Sequence, residues 1–443
     1  MKRQKVYFVG SSAEVAHHAA PVIEASESSG FDLEIVEPAA AIDRIHHGDL
    51  AVFYSEHFDR FRQTCKELKS RNIPTLYMID GILEWRNAWE NRPDEPACPW
   101  TMRPVLSHKV ACIGHSQART LAAWGNGSKI EITGIPRLDN LTNRWKELDT
   151  GTDPRQSVHP FRILIMTAKF PGFTEQQVEN TKRALTDVKK FVEACPEIGG
   201  RKVELIWRLT RGMDETIGVD NQLTDLCGTD LANVLKSVDA VVTTPSTAML
   251  EAMLLRLPVA LLEYNNNPHY IPAAWHIGNQ SQIAPVFEGL VAGDATRMQF
   301  QNDVLRDSLL IEPASTATDR LVELIKGMLK VADLADGNEL HFPAAMLGMP
   351  LTIEGEFNHQ SIYAGYAGFD TTDVAELQSQ EAHSRRVIDS LRAEINQLES
   401  ELSEAHRIFD QIHDHPIAGP VVRARQRVLD WLARFNQRED TRQ

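Results

Sequence analysis

From residue 5 to residue 138 the chain alternates apolar strand-like runs with amphipathic segments, the order that a parallel sheet covered by helices requires. Residues 5–10, 31–36, 50–54, 75–80, 110–114 and 130–134 read as strands. Helices fit between most of them. Across 57–71, for example, Phe58, Phe61, Cys65 and Leu68 recur at helical spacing before Asn72 and Pro74 end the pattern. A second alternation begins at Phe161, with strands expected at 162–166, 203–208, 240–243 and 259–263, a long helix over 175–195 and a closing helix over 318–331. The fold class this predicts is α/β, with two doubly wound, Rossmann-like domains whose ligands gather at the carboxyl ends of the strands.

The length of 443 residues suits about two domains and an appendage. We divide it into a first domain at 1–138, a polar linker at 139–160, a second, nucleotide-sugar-binding domain at 161–335 and a connecting segment at 336–373. A coiled coil follows at 374–410 and a basic amphipathic tail at 416–443. Ile388, Leu391, Ile395, Leu398, Leu402, Ala405 and Phe409 supply the heptad positions, so a homo-oligomer is expected. The tail carries six arginines from Arg423 to Arg442 beside Val421, Val428, Trp431, Leu432 and Phe435, a pattern suited to peripheral contact with an anionic membrane or to a plain solvated helix. No apolar run approaches the roughly 20 residues that span a bilayer. The basic start is followed by only Val6 to Val9 before Gly10, too little for a signal peptide, so a cytoplasmic location is expected, with the inner membrane face a further possibility through the tail. A net charge of −15 argues against nucleic-acid binding. The five cysteines are scattered without metal-ligand spacing.

Residues 244–264 read as a strand end, a tight turn, a helix and a further strand. Pro245 suits a first helical position and Thr244 its N-cap, which puts Ser246 and Thr247 in the first turn, where amides, hydroxyls and the helix dipole attract an anion. Glu251 follows Thr247 by four residues and shares its face, about 5.4 Å further along. With a diphosphate at Thr247, Glu251 would meet the attached ribose and accept from its hydroxyls. An ordinary capped helix with Met249, Met253 and Leu254 as core gives the same pattern. Three further loops after strands offer polar groups: Lys169 a point charge, Arg208 and Arg211 planar donors, and Asn265 to Asn267 with His269 either a sugar pocket or a turn. There is no Gly-x-Gly-x-x-Gly, no P-loop and no Asp-x-Asp pair, which disfavours dinucleotide cofactors and a metal-held diphosphate.

Ser246, Thr247, Glu251, Ala252, Pro258 and Val259 together resemble the donor motif of the GT-B-fold glycosyltransferase superfamily, whose two facing domains include capsule and teichoic-acid polymerases and UDP-N-acetylglucosamine 2-epimerase-like proteins. Arg256 departs from the small residue usual near that helix end. Thr133, Gly134, Pro136, Arg137 and Asp139 resemble a second superfamily segment, and His115 to Gln117 a third. The resemblance implies a cleft between the domains, into which Asp80, Glu84, Trp85 and Trp89 face. Asp80 and Gly81 stand where the polymerases usually carry a His-Gly pair, so Asp80 or Glu84 is the implied base. Asp80 as a helix cap accounts for it equally. Epimerisation is disfavoured because residues 167–175 lack the His-Arg-rich segment.

The activity implied is that of a metal-independent glycosyltransferase moving a sugar from a nucleotide-diphosphate donor to a cell-surface polysaccharide or a lipid-linked or related acceptor. Asp80 and Glu84 are catalytic, and Lys169, Arg208, Thr244, Ser246, Thr247, Glu251, Asn267 and His269 bind the donor. No cofactor is implied, since the nucleotide sugar is a co-substrate. The alternatives are a CDP-polyol phosphotransferase and a non-catalytic coiled-coil scaffold with a degenerate transferase body.

Overall fold

The computed structural model describes residues 4–84, 102–148, 160–170, 172, 174–210, 212–219, 231–335 and 338–348, together with nine residues between 397 and 427. In chain order the first part comprises β1 (Gln4–Val9), α1 (Ser12–Ser29), β2 (Phe31–Val36), α2 (Pro38–Arg44), β3 (Leu50–Phe53), α3 (Asp59–Ser70), β4 (Thr75–Met78), β5 (Lys109–Cys112), α4 (His115–Leu121), β6 (Ile130–Ile132) and α5 (Asp139–Leu148). The second comprises β7 (Phe161–Met166), α6 (Glu175–Ala194), β8 (Glu197–Ile198), β9 (Arg201–Arg208), α7 (Met213–Ile217), α8 (Leu231–Leu235), β10 (Ala240–Thr243), α9 (Ala248–Leu254), β11 (Val259–Leu262), β12 (Trp275–Ile277), α10 (Ile283–Ala292), α11 (Ala295–Ser308) and α12 (Ala317–Ala335).

Two six-stranded sheets result, ordered β2-β1-β3-β4-β5-β6 and β12-β11-β10-β7-β9-β8, and every pairing is parallel except that of β8 with β9. The central strands β3, β4, β5, β10 and β11 are buried along their whole length, as sheets covered on both faces demand. Local chemistry sets the helix ends. Glu14 Oε2 accepts from the Ser11 amide at 3.1 Å and its hydroxyl at 2.8 Å, and Gly30 ends α1 at φ 89°. Thr174 and Gln177 form the capping box of α6.

The strands match the sequence reading to within about two residues. Two short strands, β8 and β12, are not among those expected, and three further features differ. The linker does not begin as polar coil, because 139–148 is helical: Leu141 and Trp145 lie one turn apart, and Trp145 is buried beneath Arg256 and Arg306, whose guanidiniums sit 5.3 and 5.1 Å from its ring. The closing helix α12 follows the second sheet in sequence but packs on the first, where Leu321, Leu324, Ile325 and Met328 join Val6, Phe8, Val15 and Leu50 in one core. Asp139 holds the start of that helix by accepting from the amides of Ala317 and Thr318. The third is a strap at 338–348. Its Ala344 carbonyl accepts from Lys109 at 3.1 Å, and its Met346 and Leu347 amides donate to Glu131, completing a buried Lys109–Glu131 ion pair of 2.7 Å between β5 and β6.

A large core joins the two sheets through Leu138, Trp145, Met249, Leu254 and Leu305. Residues 370–443 form a separate unit, in which Leu398, one of the expected heptad positions, is helical and exposed. The rest of the heptad except Leu398, and nearly all of the tail, lie outside the described residues, as do Trp85, Trp89 and Arg211. Among the described residues no helix is long and apolar enough to cross a membrane.

Arg256 sits at φ 56°, so the turn after α9 is made by an arginine in the left-handed region, which a glycine would enter without strain. Arg256→Ala keeps that strain and loses the stacking on Trp145, whereas Arg256→Gly relieves it. Urea denaturation is expected to find the glycine variant more stable than the alanine variant by about 1 kcal/mol. In the same assay Lys109→Met, which strands Glu131 without its counter-charge, is expected to cost about 3–5 kcal/mol.

Candidate functional site

In each sheet the chain reverses its direction of winding at one place, between β1 and β3 in the first and between β7 and β10 in the second. Ligands of open α/β sheets gather at the carboxyl ends of strands beside such points. Around the first point lie α1 with His18, Tyr54 after β3 and Asp80 after β4. Around the second lie Thr167 to Lys169 after β7, Arg208 at the end of β9 and Thr244 to Thr247 after β10.

Two charge pairs meet here. Arg137, from the turn Pro136–Leu138 at the end of the first lobe, donates through Nη1 to Glu251 Oε1 of α9 at 2.8 Å. Their side chains are only 14% and 12% exposed, so the pair is largely desolvated and bridges the lobes. Arg208 lies close enough for its charge to be felt by Glu251. Burial pulls the Arg208 guanidinium below its ordinary value and Glu251 opposes that shift. On the first-lobe side His18 Nε2 and Asp80 Oδ2 are 3.1 Å apart. Burial holds the His18 imidazole below its ordinary value, against the opposing pull of Asp80 and with further lowering from Arg137 and His17. A neutral His18 ring keeps one nitrogen as a proton acceptor, and the Asp80 carboxylate beside it favours the protonated ring by charge. The influence of Arg137 on His18 joins the two pairs into one cluster.

The corner before α9 differs from the sequence reading. The helix starts at Ala248 with Thr247 at its N-cap, not at Pro245 with Thr244. Thr244 is buried, and its hydroxyl accepts from the Ala168 amide at 2.7 Å, so this hydroxyl clasps the β7 loop and is committed away from a donor. A tertiary hydrogen bond has outweighed the local preference of Pro245 for a first helical position. Ser246 and Thr247 remain half-buried at the turn, and Ser246 Oγ accepts from the Ala248 amide at 3.3 Å. Thr247 Oγ1 accepts from the Ile82 amide of the facing lobe at 3.2 Å. A side chain at Gly81 would put Cβ 2.2 Å from that oxygen, so only glycine permits the approach. Gln117 holds the Gly81 carbonyl at 3.0 Å and fixes this loop.

Glu84 and His269 pair as an isolated antiparallel bridge across the cleft. They border a narrow crevice of about 20 Å³ with Leu83, Met249, Glu263 and Asn267. The buried Nδ2 of Asn267 has no hydrogen-bond partner among the described residues. Burial and the neighbouring His276 bring the His269 pKa to about 4. The structure therefore brings Asp80, Glu84, Arg208, Ser246, Thr247, Glu251, Asn267 and His269 to one cleft. Lys169 is exposed outside this network, with its ammonium 5.8 Å from the Phe170 ring centre. Sequence reasoning missed His18 and gave Arg137 no task. Arg137 was marked by the segment 133–139 it belongs to, whereas His18 had no signal beyond its chemical type on α1.

No protein-family model and no curated protein sequence matches the chain. Among solved structures, Staphylococcus aureus MnaA with UDP is similar at 13% identity and a TM-score of 0.52, over 74% of this chain and 97% of that one. Methanocaldococcus jannaschii UDP-GlcNAc 2-epimerase, in complex with UDP-GlcNAc and UDP, gives 13% and 0.48 over 73% and 99%. The wall teichoic acid polymerase TagF gives 13% and 0.48 over 74% and 89%. The fold is GT-B-like. Within that fold, the cleft between the two sheets is the place where the carboxyl ends of both meet.

His269 titrates lower folded than unfolded, where about 6.5 is usual. Between pH 6.5 and about 4 the unfolded chain thus binds more protons, so the stabilisation is complete above pH 6.5 and is lost as pH falls. Urea midpoints are expected to drop between pH 7 and pH 5, with a shallower slope in His269→Asn.

Proposed function

We propose that this protein is a metal-independent glycosyltransferase that moves a sugar from a nucleotide-diphosphate donor to a hydroxyl of a cell-surface polysaccharide or related glycan. The observation that carries the reading is the cross-lobe ion pair of Arg137 with Glu251, with the charge of Glu251 felt by Arg208 and that of Arg137 felt by His18 beside Asp80. The GT-B-like fold supports a nucleotide-linked substrate, and the MnaA structure that resembles this chain holds UDP.

In this reading Ser246, Thr247 and Arg208 hold the diphosphate, and Glu251 accepts hydrogen bonds from the ribose. His18 takes the proton of the acceptor hydroxyl as its oxygen bonds to the anomeric carbon, and the Asp80 carboxylate 3.1 Å away stabilises the imidazolium that forms. The anomeric carbon–oxygen bond to the diphosphate breaks, and the leaving nucleoside diphosphate departs with the electron pair, its charge met by the Arg208 guanidinium and the serine–threonine corner. Asp80 thereby acts through the imidazole. Glu84, on the crevice rim, is the second candidate base. Lobe closure keeps water from the activated sugar. No resident cofactor enters the scheme.

The test is titration with UDP-, GDP- and CDP-linked donors followed by turnover with a glycan acceptor. One donor class is expected to bind saturably. His18→Gln should lower kcat by about 10²–10⁴ with little change in donor affinity. Asp80→Asn should lower it less, and wild-type turnover should fall with pH as His18 gains a proton. A folded protein that binds none of the three donor classes would sink the assignment and favour a scaffold.

A further inference from the structure

We infer that Arg137, a first-lobe residue, binds the donor's diphosphate, exchanging Glu251 for it so that donor binding itself ties the lobes together. The inference rests on the donor site proposed above and adds to it a cation from the opposite lobe. Three observations carry it. Only Nη1 of Arg137 reaches Glu251, while its Nε is buried and has no hydrogen-bond partner among the described residues. A buried guanidinium N–H without an acceptor is a cost that a phosphate oxygen would remove. Second, two guanidiniums, Arg137 and Arg208, bear on the single carboxylate of Glu251. A diphosphate offers acceptors to both. Third, Glu251 is the acid placed to grip ribose, yet its Oε1 is committed to Arg137. Arrival of the donor resolves both demands at once: the phosphates take the guanidinium, and the carboxylate turns to the sugar hydroxyls.

The exchange has a signature that a purely structural ion pair lacks. Glu251 competes with phosphate for Arg137, so removing the carboxylate must strengthen binding of an anion that has no ribose. Inorganic pyrophosphate is the probe, with affinity measured by calorimetry on the full chain. Glu251→Gln is expected to bind pyrophosphate about 5- to 10-fold more tightly than wild type, and Arg137→Gln about tenfold more weakly, in line with one charge-assisted contact. The double variant should lose the gain. Uridine should show the opposite pattern, weakened by Glu251→Gln and unaffected by Arg137→Gln. Should Arg137→Gln fail to fold, Arg137→Lys, which keeps the charge but loses the fork, is expected to bind pyrophosphate severalfold more weakly than wild type.

If wild type binds UDP but Glu251→Gln binds pyrophosphate no more tightly, the exchange is wrong and the donor site stands. If wild type binds neither UDP nor pyrophosphate, the donor site itself is wrong.

Discussion

A guanidinium from one lobe and a carboxylate from the other, 2.8 Å apart and largely withdrawn from water, set the geometry on which the cleft depends. Neither charge tolerates its position alone, since removing one partner leaves the other desolvated and uncompensated. The apolar residues beside them hold the pair in register. Leu138 follows Arg137 and Leu250 precedes Glu251, and both are buried in the core that joins the sheets. The lobes are thus aligned by packing beneath and by charge at the mouth. The alignment brings the end of β4 against the turn before α9, closely enough that Gly81 can carry no side chain.

What the sequence disclosed follows from the range of the forces involved. Strand and helix alternation is a local, periodic signal, and both sheets were legible from it. So was the helix that carries Glu251, although its start lies at Ala248 rather than Pro245. The His18–Asp80 and Arg137–Glu251 contacts join residues far apart in the chain, and no window of sequence contains them. The helical start of the linker was hidden by its polarity, although Leu141 and Trp145 carry its one buried stripe. The destination of α12 was hidden for another reason: order along the chain does not dictate which sheet a helix covers. Thr244 shows a local rule overruled, a good N-cap residue whose hydroxyl the β7 loop claims instead.

Arg256 illustrates how a departure from a motif can preserve its geometry. The backbone makes the left-handed turn that a glycine would make without strain, and the side chain lies over Trp145, a residue of the supposed linker. The substitution couples the turn after α9 to the crossing between lobes. A residue that looked like an exception in one motif is a contact between two parts of the molecule.

The strap bears on how the protein is assembled. Ala344, Met346 and Leu347 are bonded through their main chains to Lys109 and Glu131, which fastens the strap to the first sheet although it follows the second in sequence. The first sheet thus carries two loads at once: it presents Asp80 at one strand end and, through a buried charge pair, clasps a stretch of main chain that follows both lobes in the sequence.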